Sequence, residues 1–116
     1  MLNISDQVMG RFEEQSEQRF IAKLAAFLKA KVPSIASENP STVFAQCKSL
    51  KDKANSFNMR SEQAVAVFGL TAALLGLDFV ERFRGARQIL YSSAAENHKA
   101  ELLEGFTVSL MTRLQR

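Results

Sequence analysis

From Ala64 to Leu77 the chain runs for 14 residues with Thr71 as its single polar side chain. Few structures accept such a segment. A membrane-crossing helix needs roughly 20 apolar residues, so this run is too short to span a bilayer. It shows no alternation of polar and apolar residues, so it does not read as a half-buried strand. A helix that is apolar nearly all round is one surrounded by other elements. With 116 residues available, the chain has room for one core, and it reads as a single domain over residues 1–116. The expected fold is therefore all-α: a compact bundle of about five helices around a central apolar helix at about 62–76.

The remaining helices follow from local signals. Ser5 reads as an N-cap, with Ile4 stapled to Met9, and the first helix runs to Val32, where Pro33 forbids continuation. Its apolar positions are Met9, Phe12, Phe20, Leu24, Phe27 and Leu28, bridged by Ser16. At 1.5 Å per residue this helix is about 40 Å long, so one end is expected to project or to pack on a partner. Residues 33–42 read as a connector ending in the Asn39-Pro40 start signal. A second helix then reaches about Phe57, with Val43, Phe44, Cys47, Leu50, Ala54 and Phe57 on its apolar face and Lys48, Lys51 and Lys53 opposite. Asn58 is placed for a left-handed cap, and Ser61 caps the central helix. Gly69 and Gly76, seven apart, share a face and permit close backbone approach, or Gly76 simply ends the helix. For residues 77–85 two readings stand: Asp78 caps a new helix, or a loop precedes a helix over about 84–91. Ser93 with Glu96 makes a capping box for a long last helix over about 94–115. Its apolar face is Ala95, Leu102, Leu103, Phe106, Leu110 and Leu114.

Little in this sequence points to catalysis. The one histidine, His98, sits between Asn97 and Lys99 on a helix surface, without the converging ligands a zinc or di-iron site needs. The one cysteine, Cys47, lies on an apolar face, where a packed thiol is the expected role and a nucleophile is not. A single cysteine also excludes an internal disulfide, which makes a reducing cytoplasm the expected compartment. The first residues lack the basic start and apolar stretch of a signal peptide. Glu13, Glu14 and Glu17 share a polar face with Arg11 and Arg19 nearby and read as solvated surface charge. The five glycines are too scattered to cradle a phosphate. The chain is expected to be no enzyme and to need no cofactor or metal.

Binding is the remaining class. The net charge of +3 arises after residue 38, where ten basic side chains meet seven acidic ones, a bias too mild to demand nucleic acid. The second and third helices have the outline of a helix-turn-helix. A recognition helix must present polar groups to base edges, and the Ala/Val/Phe/Leu surface of the third does not. The segment Phe79, Arg82, Phe83, Arg84 and Arg87 combines arginine with aromatic residues, the side chains that anchor protein interfaces, and is the candidate docking patch.

Three stretches carry a resemblance: Ile4-Ser5 with Gln7, Met9 and Phe12, running on to Arg19-Phe20 and Leu24–Leu28; Phe57-Asn58-Met59-Arg60-Ser61-Glu62; and Leu75-Gly76-Leu77-Asp78-Phe79 with Ala86 and Ile89-Leu90. In this order they resemble small helical proteins encoded beside the effectors, spike proteins and adaptor chaperones of bacterial type VI secretion clusters. The chain departs from that family at Phe57-Asn58-Met59, where Tyr-Gly-Ile is usual, and at Val80-Glu81-Arg82-Phe83, where a loop with Asp and Pro is usual. The resemblance implies a cytoplasmic accessory or co-chaperone protein whose partner is a secretion effector or its adaptor chaperone, with no catalytic residues to carry over. An immunity protein for a toxic effector is the alternative, and a small helical nucleic-acid regulator the second. No membrane insertion is expected, and a homo-oligomer is left open.

Overall fold

The computed structural model describes the backbone of residues 5–114 and the side chains of residues 17–113. Seven helices follow in order: α1 (Ser5–Lys31), α2 (Pro33–Ala36), α3 (Pro40–Ser56), α4 (Glu62–Leu75), α5 (Phe79–Arg82), α6 (Arg84–Leu90) and α7 (Glu96–Leu114). No strand occurs among the described residues. Five of these helices stand where five were expected. The two additions, α2 and α5, are single turns inside segments read as a connector and as an ambiguous stretch. The expected cap at Ser5, the Ile4–Met9 staple and the side chains of Glu13 and Glu14 lie outside the described residues.

Local chemistry explains most boundaries. Asn39 Oδ1 accepts from the Ser41 amide at 2.9 Å, and Pro40 takes the first helical position of α3. At the other end of α3, Asn58 adopts φ 68°; its amide donates to Asn55 O, and the Met59 amide donates back to Ala54 O, both at 3.0 Å. That is a Schellman closure, and the side chain following it, Met59, is fully buried. Ser61 Oγ accepts from the Ala64 amide at 3.1 Å to start α4. Gly76 ends α4 at φ 109°, so it acts as a terminator, whereas Gly69 is the close-approach glycine. A Cβ at Gly69 would stand 3.3 Å from Leu24 Cδ1 of α1.

The expected Ser93–Glu96 capping box is replaced by a longer-range contact. The Glu96 carboxylate accepts from the backbone amides of Arg60 and Ser61 at the start of α4. These hydrogen bonds, Ser61 first and then Arg60, hold its pKa below the usual 4.5. A depressed carboxylate pKa contributes stability that is full above about pH 4.5 and is lost as pH falls through the lower folded value. Replacing Glu96 with Ala is expected to cost about 1 kcal/mol at neutral pH, the scale of a lost helix cap. The gap to the unsubstituted protein should close on acidification, as read by denaturant melts at two pH values.

α4 is the axis of the fold. Lys23 of α1 meets Glu62, and Leu24 and Leu28 stand over Gly69, so α1 runs in the same direction as α4. α7 does too: Glu96 meets Arg60, and Thr107 Oγ1 lies 2.8 Å from Thr71 Oγ1, each pair 36 residues apart. α3 runs the opposite way along α1, with Lys51 and Glu17 paired at 3.6 Å. The core is one continuous cluster that includes Ile21, Leu24, Leu28, Val43, Cys47, Phe68, Phe79 and Leu103. Three assignments to apolar faces shift. Ala95 is exposed ahead of α7, and Phe44 and Leu102 are exposed at 39% and 41%, while Lys99 and Thr107 are buried in the inward face of α7. Lys99 is tolerated there because its ammonium donates to Phe57 O at 2.9 Å, satisfying a carbonyl at the negative end of α3.

Gly105 stands in the middle of α7 without a packing reason, since a Cβ there would meet nothing within 4 Å. Gly105→Ala should therefore raise stability by about 0.5–1 kcal/mol, through lower entropy of the unfolded chain. A thermal melt reads this directly.

Candidate protein-binding site

The sequence placed the docking patch at Phe79–Arg87, and the structure reassigns much of it. Phe79 has no exposed surface; its ring packs edge-on to Phe68 with centroids 5.1 Å apart. It is a core residue and presents nothing to a partner. Phe83 is half-buried against Phe106 at 6.1 Å, with the Arg82 guanidinium 5.4 Å above its ring. Arg82 Nη1 donates to Leu75 O at 3.3 Å and lies 3.6 Å from Asp78 Oδ1. Arg87 donates from Nε to Val80 O at 3.4 Å and from Nη2 to Glu81 O at 2.5 Å. Two of the three arginines thus close carbonyls at the ends of α4 and α5, a role cations commonly take at helix C-termini. Arg84 is exposed.

A second surface emerges from the packing. α1 and α7 both lie against α4 without packing broadly on each other. Between them a strip of α4 stays uncovered, with Ala66, Val67, Leu70 and Leu74 only partly buried. The result is a groove of about 600 Å³, walled by Phe27 and Lys31 of α1 and by Glu104, Val108, Met111 and Thr112 of α7. Val108 is 59% exposed on its rim. A groove of similar size runs along α3, lined by Ser41, Thr42, Gln46, Ser49 and Lys53 together with Ala45, Leu50 and Leu77, and it is the less apolar of the two. The α4 groove is the one whose chemistry favours a protein ligand, because covering apolar surface is the main drive for association.

Its floor has Thr71 and Thr107 as buried polar side chains, with Gln63 exposed at one end. Thr71 Oγ1 lies 2.9 Å from Val67 O, Thr107 Oγ1 lies 2.8 Å from Leu103 O, and the two hydroxyls contact each other. Two hydroxyl protons cannot serve three bonds, so one hydroxyl donates to the other and one helix carbonyl gives up its threonine. The pair sets the register of α7 on α4.

The groups that would signal chemistry are apart. Burial pushes the Cys47 thiol up, with Lys29 opposing, so its thiolate is disfavoured. Cys47 lies beside Ala72 and Gly76 at the end of α4, whereas Asn97, the neighbour of His98, lies beside Ser61 at its start. They do not meet as nucleophile and base. Among the described residues, no three His, Cys, Asp or Glu side chains cluster to hold a metal, and no helix is long and apolar enough to cross a membrane. Comparison of the chain with family models, curated proteins and solved structures found no match.

Proposed function

We propose that this chain is a non-catalytic protein-binding module whose docking surface is the α4 groove. The observation that carries the reading is the apolar strip of α4 left open between α1 and α7. Helices of a partner dock into such grooves by laying an apolar face along the floor. Its open length, from Gln63 to Leu74, accommodates about three helical turns. The resemblance to accessory proteins of type VI secretion clusters makes the partner a secretion effector or its adaptor, held in the cytoplasm before loading.

Co-expression with the products of neighbouring genes, followed by affinity purification, tests this. A stoichiometric complex with one of them is expected, and it should be lost with Val108→Glu combined with Leu70→Gln while helical circular dichroism persists. Failure to co-purify with any neighbour would remove the proposal.

A further inference from the structure

The two walls of the α4 groove carry opposite charge. Lys31 lines the α1 side and Glu104 the α7 side; both are exposed, and among the described residues neither makes an ion pair. Each has a companion of its own sign. Lys23 lies on the same row of α1 as Phe27 and Lys31, because residues four apart share a helix face. Glu101, one turn before Glu104, borders a small hollow beside Gln63, the residue that also lines the groove at that end. There Glu62 of α4 meets Lys23 at 3.9 Å, with both side chains about two-thirds exposed or more. So loose a surface pair leaves Lys23 able to change partners.

Building on the docking role proposed for this groove, we infer that its occupant is an amphipathic helix of a partner protein, acidic along one edge of its apolar face and basic along the other. A helix laid on Val67, Leu70 and Leu74 buries its apolar stripe and leaves its two flanking rows at the rims of the groove. In a heptad those rows are the e and g positions, whose charges set partner choice and direction when helices pack side by side. The acidic row then runs along Lys23 and Lys31, and the basic row along Glu101 and Glu104. A helix with one sign on both edges is attracted by one wall and repelled by the other, so the two effects offset each other. Turning the two-sign helix end for end sets each row against its like. The walls therefore select direction as well as composition. The chain's net charge of +3 acts differently: by itself it would draw a helix that is acidic on both edges. Local arrangement and net charge thus rank partners in different orders, which makes them separable.

Three synthetic peptides of two heptads, about 21 Å long as helices, test this against the full chain by fluorescence anisotropy at low and raised salt. All carry leucine at a and d. One has glutamate at e and lysine at g, one has glutamate at both, and one has lysine at both. The two-sign peptide should bind at least about fivefold more tightly than either of the others, a gap of about 1 kcal/mol that narrows as salt rises. Lys23→Glu with Lys31→Glu makes both walls acidic and should move the all-lysine peptide to first place. Glu101→Lys with Glu104→Lys should do the same for the all-glutamate peptide. Circular dichroism confirms that both variants fold. A two-sign peptide that does not bind, or binds no better than the all-glutamate one, overturns the inference, and so does a ranking unmoved by either wall variant. Val108→Glu with Leu70→Gln separates this from the docking reading. Peptides that bind alike and are released by that variant would sink the charge assignment and leave the groove standing. If no peptide binds, a neighbour's product released by the same variant would likewise keep the groove alone. A two-sign preference that survives the variant would put the helix elsewhere and sink the groove.

Discussion

Phe79→Ala is expected to destabilise the fold by about 3–5 kcal/mol, the range for removing a large buried aromatic. Phe79 is fully enclosed, and its ring joins α5 to α4 through Phe68. Removing it leaves a cavity where α5 and α6 attach to the rest of the core, so a sharply lower midpoint in urea should follow. If Phe79 were an interface anchor, the substitution would leave the midpoint nearly unchanged and weaken partner binding instead. The two outcomes are far apart on one denaturation curve.

Gly76→Ala is expected to cost about 2–3 kcal/mol through the backbone alone. At φ 109° and ψ 152° the residue occupies a region that only glycine enters readily. An added Cβ would also stand 3.0 Å from Asp78 Oδ1 and 3.3 Å from Arg82 Nη1. Those two groups form the ion pair beside the end of α4, so the strain falls where Arg82 reaches Leu75 O. A cheaper substitution, within a few tenths of a kcal/mol of the parent by chemical denaturation, would mean that the turn relaxes to another conformation.

The two variants also mark where the sequence was readable. Asn39-Pro40, Asn58, Ser61 and Gly76 act on their own backbone within a few residues, so each could be assigned a role without knowing what lay nearby. The central helix was legible for a similar reason, since Ala64 to Leu77 leaves no polar face to expose. Charged side chains were harder. Glu96 looked like half of a local capping box, yet its carboxylate reaches the amides at the start of α4. Arg82 and Arg87 looked like a patch, yet a long guanidinium finds backbone carbonyls seven residues back as readily as a partner. Lys99 gave no signal of burial, because its acceptor, Phe57 O, lies 42 residues away. The groove was least legible of all. It arises from α1 and α7 flanking α4 without closing over it, and helical periodicity carries no information about which neighbours meet.

Partner docking on the α4 strip between α1 and α7 is the function we propose. Its most direct test compares two variants on one co-purified partner by measuring dissociation constants. Val108→Glu with Leu70→Gln alters the groove, and Arg82→Glu with Arg84→Glu alters the surface of the α5–α6 segment. The groove variant should bind at least about tenfold more weakly, the scale of losing an interface anchor. The arginine variant should bind within about threefold of the parent, a shift under 1 kcal/mol. The reverse order, with the arginine variant impaired and the groove variant unaffected, would move docking to the α5–α6 surface and rule out the groove.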